Sequence, residues 1–129
     1  MAVQELRVAL TVEDFDAALA FYRDTLGLPL LEAWSEDGRV VLLEAGRATL
    51  ELLDARHADA VDRIEVGRRT AGPVRLALQV EDSAATSARL QEGGATLIAG
   101  PVVTPWRHSN VRLEAPDGMQ LTLFTVLDA

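Results

Sequence analysis

The chain has 129 residues, 49% of them apolar, and a formal net charge of −8, which suits one globular domain with a buried core. It has no cysteine and no lysine, all 12 basic residues being arginine, so disulfides, thiolate metal sites, a cysteine nucleophile and Schiff-base chemistry are excluded. The negative charge disfavours nucleic acid or an anionic membrane as partner; no stretch approaches the roughly twenty apolar residues of a membrane span.

The opening MAVQELRVAL lacks a basic segment followed by an apolar core and cleavage site, so a cytoplasmic location is expected. RVALTV then alternates, with Val8, Leu10 and Val12 on one face and Arg7, Ala9 and Thr11 on the other, which predicts a strand. Asp14 stands at a helix N-cap position before FDAALAFYRDTLG. In that segment Phe15, Leu19, Tyr22 and Leu26 recur at helical spacing, and Gly27 ends the run as a C-cap. LLEAW, with Trp34 at its end, and GRVVLLEAGRATLELL continue as strands with a hairpin. Residues 54–73, DARHADAVDRIEVGRRTAGP, are charged and do not alternate; they read as a linker with one short helix around Ala58–Val66.

RLALQVED at 75–82 then repeats RVALTVED at 7–14, and residues 7–20 laid on 75–88 give eight identities in fourteen positions. Asp82 caps SAATSARLQEGG, with Gly93 and Gly94 as terminator, and Pro116-Asp117-Gly118 marks the turn before the last strand. SNVRLEAPDGMQLTLF lines up with residues 38–53 if one residue is gapped. The chain therefore reads as a duplicated unit of strand, helix and hairpin-joined strands, whose two sheets complete one another.

VEDFDAALAFYRDTLG resembles the opening of the vicinal oxygen chelate superfamily, and APDGMQLTLF resembles its final hairpin. Glyoxalase I, extradiol dioxygenases, fosfomycin-resistance enzymes and bleomycin-binding proteins share that fold. The resemblance implies an α+β class: two tandem βαβββ modules whose curved sheets form an open barrel around a cavity. It places module 1 at about residues 5–54, the linker at 55–73 and module 2 at about 74–127 of a single domain spanning 1–129. It also implies a homodimer.

In the metal-dependent members, four inward positions hold a divalent ion. By the resemblance they fall here on Arg7, Glu51, Arg75 and Thr122. Only Glu51 can ligate, since an arginine stays protonated and offers no lone pair. No metal and no cofactor are therefore expected. The two histidines, His57 in the linker and His108 in the PWRHSN loop, read as exposed rather than ligating. Glu51 is read as a buried ion pair with one or both arginines, filling the place of the metal. If the chain is an enzyme instead, Glu51 or His108 is the base.

A cavity without a metal resembles the drug-sequestering members, which grip a ligand by stacking and hydrogen bonds. Trp34 and Trp106 are the candidate stacking residues. Strand alternation adds Thr49 beside Glu51, and Gln120 and Phe124 beside Thr122. The expected ligand-binding set is thus Trp106, Trp34, Arg7, Glu51, Arg75, His108, Thr49, Gln120, Thr122 and Phe124. The leading reading is a metal-independent protein that sequesters a planar aromatic small molecule such as an antibiotic. The alternative is a metal-free isomerase, lyase or cyclase on a polyketide-like substrate, with the arginines stabilising an enolate. A third, a metal-dependent glyoxalase or dioxygenase, requires a different alignment of the ligand positions.

Overall fold

Eight strands and three helices follow from the alternation and the caps, in a computed structural model that describes residues 2–128. The strands are β1 (Glu5–Thr11), β2 (Leu30–Trp34), β3 (Val40–Ala45), β4 (Ala48–Leu53), β5 (Val74–Gln79), β6 (Thr96–Val103), β7 (His108–Glu114) and β8 (Gln120–Val126). The helices are α1 (Phe15–Leu19), α2 (Ala55–Glu65) and α3 (Ser83–Glu92). The strands form one open, curved sheet in the order β2-β3-β4-β1-β5-β8-β7-β6. Within each half the first strand runs parallel to the fourth, β1 with β4 and β5 with β8. The halves join within the chain through the antiparallel pair β1–β5, in which Arg7 faces Ala77, Val8 faces Leu76 and Ala9 faces Arg75.

Both repeated aspartates cap helices: the Asp14 carboxylate accepts the Ala17 amide at 3.0 Å and Asp82 that of Ala85 at 3.0 Å. One sheet face is aliphatic and carries α1 and α3. Phe15 and Leu19 pack there on Val41, Leu43 and Leu52, and in the other half Leu90 packs on Val80, Val111, Leu113 and Leu123. Each such side chain contributes about 1.5–3 kcal/mol by leaving water.

The first helix departs from its expected course. After Leu19 the chain enters a π-helical turn, Ala20–Thr25, in which the Leu26 amide reaches back to the Phe21 carbonyl at 2.8 Å. The wider turn carries later residues off the buried stripe. Phe15 and Leu19 are buried and Tyr22 packs partly against them, but Leu26 is exposed.

The segment expected to be a linker is the larger correction. It holds an eleven-residue helix, α2, three residues earlier at its start than the sequence suggests. The Asp54 carboxylate accepts from the His57 amide at 2.9 Å and from the Arg39 amide at 3.0 Å, fixing the helix start to the end of the β2–β3 turn. α2 lies on the second face of the sheet, opposite α1 and α3. Its Ala58 and Val61 pack with Ala9, Val40 and Leu53, and its Asp62 and Glu65 are buried.

Candidate functional site

Strand register places the predicted residues on that second, inner face. Thr49, Arg7, Ala77, Thr122 and Arg112 follow one another across β4, β1, β5, β8 and β7. One step further along β1, Glu51, Ala9 and Arg75 form the next row, and one step back Glu5, Gln79, Phe124 and Asn110 form another. Directly paired residues of neighbouring strands share a face, so all of these point away from α1 and α3.

At one end of this face the side chains are aromatic and polar. Phe124 is buried; the His108 ring stacks on it with centroids 5.0 Å apart, and the Arg7 guanidinium lies 4.8 Å from its centroid. Trp106 meets His108 edge to face at 6.4 Å and remains 41% exposed. The turn that sets Trp106 beside His108 is closed by the Thr104 amide donating to the His108 carbonyl at 2.8 Å. It passes through Arg107 at φ 65°, a left-handed conformation rare for a side-chain-bearing residue. His108 is therefore not the exposed loop residue that the sequence suggests: it opens β7. Burial, and then the Arg7 charge, hold its imidazole below the ordinary value, against the opposing pull of Glu65 and Glu5.

Arg7 does not reach Glu51. Its Nε donates to Glu5 at 3.1 Å and its Nη2 to the other Glu5 oxygen at 3.3 Å, and the Thr49 hydroxyl donates to the same carboxylate. Glu5 stands two residues along on the same strand face, which makes it the nearer partner. Arg75 donates from Nη1 to the Thr122 hydroxyl at 3.2 Å and makes no ion pair among the described residues. Glu51 makes neither a hydrogen bond nor an ion pair among them. The expected pairing of Glu51 with the arginines is therefore overturned: Ala9 holds Glu51 and Arg75 two strands apart, about 10 Å between Cα atoms.

The buried ion pairs lie elsewhere, between sheet and linker helix. Arg112, fully buried, donates to Asp62 at 2.8 Å, Glu65 at 2.9 Å, Gln120 at 3.0 Å and Thr122 at 3.1 Å. Asn110 donates to the second Glu65 oxygen at 3.0 Å. The second Asp62 oxygen accepts the amides of Thr70 at 2.7 Å and Ala71 at 2.8 Å, and Arg69 at 3.2 Å. Burial alone would raise the Asp62 carboxyl; those two amides and the Arg112 guanidinium outweigh it and hold the group below the ordinary carboxylate range. Gln120, predicted as lining, serves this network and donates to the Thr70 carbonyl at 2.9 Å.

The sequence reading did not select Glu5, Asp62, Glu65, Asn110 or Arg112. The signals were faint: Asp62 and Glu65 share the face of Ala58 and Val61 at helical spacing, and Arg112 alternates with Val111 and Leu113. The two tryptophans are not brought together. Trp34 lies on β2 at one edge of the sheet, 47% exposed, and Trp106 precedes β7 near the other. His57 lies in α2, its Nδ1 buried without a partner.

A divalent ion does not fit the four family positions. Arg7 and Arg75 would repel it, and the Thr122 hydroxyl is engaged by Arg75 and Arg112, leaving Glu51 as the one anionic donor. Among the described residues no cluster of three or more histidine, aspartate or glutamate side chains could hold a metal ion. Nor is any described helix long and apolar enough to cross a membrane.

A family model described as Glyoxalase/Bleomycin resistance protein/Dioxygenase superfamily matches residues 6–123. No curated protein matches the chain. Among solved structures, the chain is similar to methylmalonyl-CoA epimerase from Mycobacterium tuberculosis, at 22% identity and a TM-score of 0.69, covering 98% of this chain and 90% of that one. A superfamily member from Vibrio splendidus is 14% identical with a TM-score of 0.70, covering 94% and 97%. A hypothetical protein from Bacillus halodurans is 20% identical with a TM-score of 0.69, covering 99% and 96%. At these identities the likeness is one of fold.

Proposed function

The chain belongs to the Glyoxalase/Bleomycin resistance protein/Dioxygenase superfamily, and from that premise we propose that it binds a planar small molecule on its inner face without a metal, in the manner of a sequestering protein. The observation that carries this reading is the aromatic end of the face. Trp106 offers an open ring beside a half-buried His108, itself stacked on Phe124 under the Arg7 guanidinium. A flat ligand stacks there at small entropic cost, because the platform is already ordered. The donor set at the family's metal positions supports a metal-independent mode. β2 supports a homodimer in which this edge meets a second copy: all five of its residues are exposed and Leu30, Leu31 and Trp34 are apolar.

The test uses Trp34→Phe, which leaves Trp106 as the single tryptophan, titrated with planar antibiotics while its emission is followed. Quenching that saturates supports the reading; no response to any planar compound, together with no protection of a host cell, sinks it. A metal-free enzyme is the second reading, favoured by the unpaired Glu51 carboxylate, which is available as a base. Ligand recovered unchanged after long incubation with the protein argues against that reading.

A further inference from the structure

We propose that the outer face of the sheet carries a small-molecule site of its own, a groove beside α3 that takes a neutral ring bearing several hydroxyl groups, such as a pyranose or a polyphenol. The groove lies on the opposite side of the sheet from the aromatic end, so it stands apart from the planar-ligand reading.

The duplication supplies the comparison. The repeat that lays residues 7–20 on 75–88 sets Phe15 on Ser83, Asp16 on Ala84 and Leu19 on Ser87. The two halves keep the same register there: the Val12 amide donates to the Leu53 carbonyl at 2.9 Å, and the Val80 amide to the Phe124 carbonyl at 3.0 Å. One residue further along the strands, Asp54 pairs with Arg39 in the first half and Thr125 with Ser109 in the second. In the first half this place is filled. The Phe15 ring is buried, the Arg39 guanidinium lies 4.2 Å from its centroid, and Asp16 holds that guanidinium. The second half has Ser83 for the ring, Ser109 for the cation and Ala84 for the carboxylate, and nothing else moves in to replace them. An open groove of about 680 Å³ remains, lined by these three residues and Thr125 and bounded by Gln4 and Leu127. Protein interiors are ordinarily close-packed, and a groove of this size falls in the range of small-molecule sites, roughly 300–1,000 Å³.

The lining sets the chemistry. Ser109 accepts from the Ser83 hydroxyl at 3.3 Å and Thr125 accepts from the Ser83 amide at 2.8 Å. Neither hydroxyl donates to any described residue, so both protons are free for an acceptor in the groove. Arg89 borders the groove without an ion pair among the described residues, and Glu81 and Asp82 border it as well. With carboxylates and a guanidinium on one groove, neither an anion nor a cation is favoured outright. Alanine and leucine side chains complete the walls. A ring with apolar faces and several hydroxyls on its edge, each both donor and acceptor, matches that mixture.

The experiment is an amide-shift NMR titration of the full chain with methyl β-glucoside and with pyrogallol, beside cyclohexanol and phenol as their single-hydroxyl counterparts. Saturable shifts centred on Ser83, Ser109 and Thr125 are expected with at least one of the first pair. A response to the glucoside alone identifies a pyranose site, and to pyrogallol alone a phenolic one. The single-hydroxyl compounds bind at least about threefold more weakly, having lost a hydrogen bond or more. Ser109→Ala weakens binding by about threefold for the same reason. The double variant Ser83→Phe with Ser109→Arg grafts the first half's filling into the second and abolishes binding; should it fail to fold, Ser109→Ala decides. No shift with either polyhydroxyl compound overturns the proposal, as do equal affinities for the single-hydroxyl compounds, parent-like binding by Ser109→Ala, or parent-like binding by the folded double variant. Shifts centred on Trp106 and His108 instead overturn it too, while leaving the inner-face reading intact.

Discussion

Replacing Arg112 by methionine tests the ionic seam between sheet and linker helix. The side chain is fully buried and its guanidinium contacts Asp62, Glu65, Gln120 and Thr122. Methionine fills much of the same space but leaves Glu65 without its cation and Asp62 with only Arg69. Stranding a buried charge costs about 3–5 kcal/mol, a large part of the roughly 5–15 kcal/mol that holds a domain folded. The thermal midpoint should fall by about 10 °C or more. Adding Glu65→Leu recovers part of the loss, because it removes one stranded carboxylate while Asp62 keeps the Thr70 and Ala71 amides. The loss also depends on pH. In the parent the Asp62 carboxyl lies below its ordinary range, so its contribution is present above the unfolded pKa and fades as pH falls through the folded one. Without Arg112 that contribution shrinks. The gap between parent and variant is therefore widest near neutral pH and narrows in acid. Urea unfolding at a series of pH values measures both quantities. A single variant within about 0.5 kcal/mol of the parent at pH 7, the level of an ordinary surface substitution, would refute the reasoning.

His108→Gln addresses the aromatic end. The folded imidazole is held below its ordinary value, so the unfolded chain takes up the proton first and the parent loses stability as pH falls below the ordinary imidazole range. The variant lacks that part of the slope, and an NMR titration of His108 that shows no downward displacement contradicts the assignment. Gly38→Ala tests the anchoring of α2. At φ +88° a Cβ would lie 2.3 Å from the Asp54 carboxylate and 2.4 Å from the His57 amide, so the loss in urea unfolding exceeds about 1 kcal/mol. An unchanged midpoint would mean that the helix start is not fixed there.

Much of the architecture was legible because it was written twice. RVALTVED and RLALQVED give strand alternation and an N-cap in each half, and both caps are made as read. The family resemblance set Arg7, Glu51, Arg75 and Thr122 inward, and period-two alternation added Thr49 and Phe124 to their face, since a strand has only two faces. Partner choice within that set was not legible. Alternation says which side chains share a face but not which pair across it, so Glu5 took Arg7 and Glu51 was left alone. The role of α2 was hidden for a related reason: its buried face carries two carboxylates, and charged residues on a helix ordinarily signal solvent. Their counter-charge, Arg112, is some fifty residues away in the chain, beyond the reach of any local pattern.

The seam between β1 and β5 carries its own consequence. Each copy of the repeat contributes arginine, one spacer and alanine, and the antiparallel register sets each arginine opposite the other copy's alanine. Large faces small on both sides of the Val8–Leu76 centre, so the two cations sit on a diagonal rather than abreast. The duplication is thus self-complementary in size. Enlarging Ala9 or Ala77 crowds the arginine contributed by the other half, which ties the two halves into one steric unit that cannot drift independently. Either arginine can be shortened without that penalty, leaving the chemistry of the face freer to vary than the seam beneath it.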